Sequence, residues 1–301
     1  MPEERRLGAG AERPRTVVVG CGGAGCNTLR AIPQAEGLGV VAVNDLPHPS
    51  MVGVKRRLFL PKEGLRGIAA MDDQKVKGLA TTAEQSVAVE LADAEFVIPL
   101  AGLGGEMGSW GASLVARVAA LKGAAVLAVV NTPFSAEGMN RRTVARDALE
   151  VLRRHAHGAV CLPNDPLVRV APHLPIMKAF DVMSQLAAQP IQDLVRVLTR
   201  MDLSTLKTVL RNATDWQLGI GEGTRDHPEL AAVDAAFRSP WISKRTDDAR
   251  EVLVLIAAPD ADERTANAVI RDVDLRCPRA SVTWGMFSEP GILRVSALVG
   301  F

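Results

Sequence analysis

"VVVGCGGAG", residues Val17 to Gly25, is an apolar run that ends on glycine and then sets four glycines among six positions. A buried strand that breaks into such a loop and opens a helix offers backbone amides and the positive end of the helix dipole to an anion. Gly20, Gly22 and Gly25 fit the spacing G-x-G-x-x-G, and Asp45 follows Gly25 by 20 residues, the place of a ribose-binding carboxylate in dinucleotide enzymes. The stretch therefore admits a nicotinamide-dependent oxidoreductase built on Gly20, Gly22, Gly25 and Asp45. It equally admits a mononucleotide cradle, or a turn that merely packs a helix close to a strand.

A second loop separates these readings. "AGLGGEMGSWGA", Ala101 to Ala112, also follows an apolar strand and also opens a helix. One cradle suffices for a dinucleotide, whereas two at neighbouring strand ends suit a phosphate chain gripped from both sides by backbone amides. The sequence G-x-x-x-x-G-K-[ST] is absent, which excludes a P-loop protein.

Around the two loops, apolar runs alternate with helical patterns. Thr16 to Val19, Val40 to Val43, Glu95 to Leu100, Ala124 to Val130 and Ala159 to Leu162 read as strands. Gly25 to Ile32, Thr82 to Leu91, Trp110 to Leu121 and Gly138 to Arg154 read as helices, which together predict a parallel sheet covered on both faces. From Lys178 to Arg200 an apolar stripe with helical spacing predicts one long helix, kinked or broken at Pro190. Beyond it, helices at Leu203 to Asn212, Glu229 to Phe237 and Asp262 to Leu275 mix with strands at Glu251 to Ala257, Ser281 to Trp284 and Leu293 to Val299. The expected fold is α/β: a flexible tail over 1–14, a nucleotide-binding domain over 15–177, a central helix over 178–200 and a smaller α+β domain over 201–301.

Bulk composition narrows the function classes. With 35 basic and 34 acidic residues the net charge is +1, leaving no global field to attract nucleic acid or an anionic membrane. The longest apolar runs are of strand length, well short of the roughly 20 residues of a membrane span. The start, MPEERRLGAGAERPR, has no apolar core, so it is no secretory signal. Cys21, Cys26, Cys161 and Cys277 are scattered through apolar segments, as buried thiols of a reducing cytoplasm are. His155 and His157 lack a cysteine or carboxylate cluster, so no metal site is expected.

The order of these loops resembles the tubulin/FtsZ superfamily, in particular FtsZ. GCGGAGCNT, Gly20 to Thr28, is similar to the family's first nucleotide loop, and GLGGEMGS, Gly102 to Ser109, to its signature GGGTGTG. VVNTPFSAEGMNRR, Val129 to Arg142, resembles the segment P-F-x-x-E-G-x-x-R, CLPND carries an asparagine at a guanine contact, and the closing TWGMFSEPGILRVSALVGF resembles the end of the family's C-terminal domain. The resemblance spans about Arg15 to Phe301. It implies GTP or GDP as ligand, magnesium as an accompanying ion, and a partner in other copies of the chain stacked head to tail in a cytoskeletal, cell-division or membrane-remodelling role. The nucleotide-binding residues it implies are Gly20, Gly22, Gly23, Ala24, Gly25, Asn27, Asn44, Gly102, Gly104, Gly105, Glu106, Met107, Gly108, Ser109, Pro133, Glu137, Arg141, Asn164, Phe180 and Ser184. Within that set Asn27 and Asn164 meet guanine, Phe180 stacks on the base, and Glu137 with Arg141 lies beside ribose and phosphate.

Four departures from the family pattern carry chemical weight. The phosphate-sensing loop, glycine-rich in the family, reads GIAAMDD from Gly67 to Asp73, which sets carboxylates near an anion. Glu106 and Met107 replace glycine and threonine, and Glu106 offers its carboxylate either to a magnesium ion or to solvent. Ser184 stands in place of the acidic residue that pairs with guanine, which predicts weaker base selectivity. The loop that completes the neighbour's site is shorter, Thr199 to Leu206, with Thr205 in place of its second aspartate. Only Asp202 remains there, as a weak catalytic candidate acting in trans or as the N-cap of the next helix, the role favoured on residue type. GTP hydrolysis is accordingly expected to be weak or absent. An active polymer using Asp202, the oxidoreductase, and a scaffold without nucleotide are the alternatives. The chain also ends at Phe301, where the family continues into a linker and a membrane-tether peptide.

Overall fold

The computed structural model describes residues 4–8, 10, 12–33, 37–62, 65, 77–199, 202–223 and 227–301. Two compact units emerge, Pro14–Ala188 and a second formed by Met1–Arg13 together with Gln189–Phe301. The chain opens with a short strand of the second unit, β1 (Glu4–Arg6). It then builds the first unit through β2 (Thr16–Cys21), α1 (Gly22–Leu29), β3 (Leu38–Asn44) and β4 (Arg56–Phe59), followed by α2 (Lys77–Glu90), β5 (Phe96–Gly102) and α3 (Glu106–Leu121). β6 (Ala125–Thr132), α4 (Met139–His155), β7 (Gly158–Pro163) and α5 (Asp165–Val170) complete it, with the first part of α6 (Ile176–Val197).

Its strands run β7-β6-β5-β2-β3-β4, all parallel. β2 is buried at every residue and β5 and β6 nearly so, which is why they read as unbroken apolar runs: helices cover both faces of a parallel sheet. Val17, Val19 and Cys21 of β2 join Val97, Val126 and Ala128 in a core with Val87 of α2, Leu114 of α3 and Leu152 of α4. α1 lies close to the sheet because a Cβ on Gly25 would overlap the Leu100 carbonyl. Pro99 sits inside β5, and the β5–β6 register is interrupted at Ile98 and Pro99, where proline has no N–H to give.

The second unit continues with α7 (Leu203–Arg211), β8 (Trp216–Glu222), α8 (Pro228–Phe237), β9 (Glu251–Ala258), α9 (Glu263–Arg276), β10 (Ser281–Ser288) and β11 (Arg294–Gly300). Its strand order is β1-β10-β9-β11-β8, with β11 antiparallel to both neighbours. α8 approaches β8 closely over Gly219 and Gly221, where side chains would overlap the Ala236 and Ala232 carbonyls. Among the described residues no helix is long and apolar enough to cross a membrane.

Several expectations need correction. Residues 1–14 are not simply a tail: Glu4–Arg6 pair with β10, and Leu7 is 2% exposed. α6 runs continuously through Pro190, which excludes the break among the two outcomes expected there, a kink or a break. The packing boundary falls inside that helix, after Ala188, and 1–13 groups with the C-terminal unit, whereas the apolar patterns place divisions at 14, 177 and 200. The first turns of α1 and α3 begin at Gly22 and Glu106, three and four residues before the limits read from sequence, because glycine is a poor helix former and reads as loop. β4 and β8 were not foreseen: RRLF is polar, and WQLGIGE carries two glycines.

Candidate functional site

At the C-terminal ends of β2, β3, β5, β6 and β7 the first unit encloses a cavity of about 530 Å³, within the usual range for small-molecule sites. Most of the residues expected from sequence line it: Gly22, Gly23, Ala24 and Asn27 from α1, Asn44 from β3, and Gly102, Gly105, Glu106, Met107 and Gly108 around the start of α3. Pro133, Glu137, Arg141, Asn164, Phe180 and Ser184 line it as well. Four do not. Gly20 is buried in β2 under Leu29 of α1, and Gly25 is buried on the face of α1 that meets β5, where a side chain would strike the Leu100 carbonyl. Gly104 and Ser109 shape the second loop: Ser109 Oγ accepts from Gly104 N–H at 2.9 Å, and Gly104 has φ +100°.

The two glycine loops meet. A Cβ on Gly22, itself at φ +68°, would lie 2.8 Å from Gly108 N, and one on Gly102 would lie 2.7 Å from the Ala24 methyl. Only glycine permits this contact, and it brings the N-termini of α1 and α3 side by side. Neither helix has a side-chain N-cap: Cys21 and Gly105 hold the cap positions without a capping bond. The first amides of each helix have no intrahelical partner, so the cavity receives two sets of N–H donors and two positive dipole ends.

Two buried polar atoms of cavity-lining residues also lack partners: Asn131 Nδ2 and Asn164 Oδ1. Unpaired buried amides cost stability unless a ligand or water satisfies them, and both of these belong to residues that line the cavity. Glu137 is anchored, with Oε1 accepting from Phe134 N–H at 2.8 Å and Oε2 pairing with Arg141 at 2.5 Å. The Phe180 ring packs edge-on against Phe134, with centroids 5.7 Å apart at 63°. Asp45 lines the cavity bound to Lys62 at 2.6 Å, and the hydrogen bond from that ammonium holds the carboxyl below its ordinary value.

Sequence reading missed His48, Lys62, Asn131, Thr132, Met177, Asp181 and Met183 on the cavity wall. Asn131 and Thr132 carried a usable signal, since they directly follow the apolar run of β6. His48 and Lys62 carried none, being placed by the connections flanking β4. The phosphate-sensing stretch Gly67 to Asp73 lies outside the described residues. Among the described residues no cluster of three metal-ligating side chains occurs.

Asp202 belongs to the second unit and is 6% exposed. It occupies the N-cap position of α7 but makes no side-chain cap bond there, contrary to the role favoured from residue type. Its Oδ2 instead accepts from Thr199 N–H at 2.8 Å, Thr199 Oγ1 at 2.6 Å and Gly8 N–H at 3.0 Å.

Known proteins share this architecture. The Tubulin/FtsZ family, GTPase domain, matches residues 15–172. Cell division protein FtsZ 1 of Pyrococcus horikoshii is 31% identical over 303 residues, covering 95% of this chain and 81% of that protein. The corresponding protein of Thermococcus kodakarensis is 32% identical over 279 residues, covering 89% and 75%. Among solved structures, the empty FtsZ dimer of M. jannaschii superposes with a TM-score of 0.83 at 28% identity, over 96% of this chain and 88% of that one. CetZ from Methanosaeta thermophila shares the fold, with a TM-score of 0.77 at 18% identity over 96% and 86%.

Proposed function

The chain belongs to the Tubulin/FtsZ family, and from that premise we propose that it binds GTP or GDP between its two glycine loops and stacks head to tail with slow hydrolysis. The observation that carries the reading is the contact of Gly22 with Gly108, which sets two uncapped helix N-termini against one cavity. The amides of Gly22, Gly23 and Ala24 and of Glu106, Met107 and Gly108 hold the phosphates. Glu137 and Arg141 face the ribose. Phe180 stacks on the base, while Asn27, Asn164 and Ser184 meet its polar edge, Asn164 through an oxygen that has no protein partner. Glu106, on the first turn of α3, is the carboxylate that would hold a magnesium ion.

Slow hydrolysis is supported by the engagement of Asp202, whose Oδ2 is spent on Thr199 and Gly8 within its own unit. A carboxylate tied into three hydrogen bonds is a poor base for water on a neighbour's phosphate. Assembly follows from a heterologous contact that does not close, and the role is cytoskeletal, in division or membrane remodelling.

Chromatography of nucleotide released from the purified protein, with titrations of GTP, GDP and NADH, tests the ligand. Guanine nucleotide in the protein and saturable GTP binding are expected. Binding of NADH alone would return the chain to the oxidoreductases, and binding of none would make it a scaffold. Sedimentation and phosphate release with GTP and magnesium test the rest: rapid release that Asp202→Asn removes would show an active GTPase.

A further inference from the structure

The cavity wall holds one histidine among the described residues, His48, between β3 and the turn Pro49–Met51. Its Nδ1 accepts from Ser50 N–H at 3.2 Å and lies 2.7 Å from Ser50 Oγ. Ser50 is 2% exposed, so the anchor is fixed from inside the fold while the ring itself faces the cavity. A backbone N–H only donates; Nδ1 is thus the acceptor, and in the neutral ring the proton resides on Nε2.

The ring stands over the first turn of α1. A Cβ built on Gly23 would lie 3.5 Å from Cε1 and 3.8 Å from Nε2 of His48. Gly23 belongs to the turn whose amides have no intrahelical partner, so the imidazole donor and the helix donors converge on one volume. The nearest sequence neighbour with charge, Asp45, is already paired with Lys62.

We propose that His48 is a phosphate-binding residue of this site, its Nε2–H donating to an oxygen of the phosphate seated on the α1 amides. The inference rests on the nucleotide reading above and adds a side-chain donor beside the backbone amides of α1. The alternative is that His48 only caps the turn through Nδ1.

Three substitutions separate the two roles. Asn at 48 keeps an oxygen where Nδ1 accepts from Ser50 but cannot reach the cavity; Gln places an amide N–H near the Nε2 position; Ala removes both. Affinities for GDP and GTP measured by calorimetry, with the melting midpoint of each nucleotide-free variant, give the readout. The expected result is that His48→Asn and His48→Ala weaken both nucleotides about tenfold, the scale of one hydrogen bond to a charged acceptor, while His48→Gln restores most of the loss. The midpoint of His48→Asn should match that of the unsubstituted protein. Unchanged GDP and GTP affinity in His48→Asn overturns this inference alone. A loss in His48→Asn that His48→Gln fails to recover, or one matched by a lowered midpoint, also overturns it. An unsubstituted protein that binds neither nucleotide overturns the nucleotide reading and this inference together.

Discussion

A methyl group at Gly108 would overlap the Gly102 carbonyl, whereas one at Gly105 would meet nothing within 4 Å. Gly108→Ala should therefore cost about 1–3 kcal/mol in urea unfolding and lower nucleotide affinity, while Gly105→Ala should stay within about 0.5 kcal/mol. At Asp202, replacement by Ala leaves the Thr199 amide and hydroxyl and the Gly8 amide without their acceptor. A loss of about 3 kcal/mol is expected, against a smaller loss for Asn, which can keep an oxygen in place. The thiols divide in the same way by environment. Burial raises Cys26 to about 11 and Cys277 to about 12, and pushes Cys21 up as well, while Cys161 is half-buried. At pH 8 a thiol reagent should modify the native protein at Cys161 first, and reaction at Cys21 before unfolding would contradict the burial described.

Among the elements, the far end of α6 owes its position to a buried carboxylate. Asp193, 1% exposed, accepts from Gln189 at 3.0 Å, Arg294 at 2.8 Å and Ser296 at 2.7 Å. Arg294 also reaches Glu289 at 2.6 Å, and Arg196 binds the same carboxylate at 2.5 Å. Removing Arg294 by Met strands the Asp193 charge and should cost about 3–5 kcal/mol. Burial pushes the Glu289 carboxyl upward, but the hydrogen bonds from Arg196 and Arg294 outweigh it and hold the group below its ordinary 4.5. A depressed carboxyl stabilises the fold above its unfolded value and loses that contribution as pH falls through the folded one. Acid unfolding should therefore steepen below pH 4.5, and Glu289→Gln should flatten that limb of the stability curve.

For each unit as a whole, short segments distant in sequence complete the packing. Residues 4–8 add an edge strand to β10, bury Leu7, and join Gly8 to Asp202, while Trp284 Nε1 donates to Glu4 at 2.8 Å. Deleting residues 1–8 should lower the melting midpoint by several degrees and remove one of the three donors to Asp202 Oδ2, leaving those of Thr199, so phosphate release should change little. The sequence by itself determined the parallel sheet, because strands buried on both faces, such as Val17 to Cys21 and Ala125 to Val130, are legible as continuous apolar runs. It also determined the glycine cradles and their order, since at Gly22, Gly25, Gly102, Gly104 and Gly108 only glycine tolerates the conformation or the close approach. Tertiary structure alone decided which members of those loops face the cavity and which, like Gly20 and Gly25, are buried where α1 packs on the sheet. It likewise decided that Asp202 serves Thr199 and Gly8, that β8 forms under α8, and that His48 and Lys62 reach the site. Each of these depends on a neighbour brought from far along the chain, and no local pattern of residues records how near that neighbour will come.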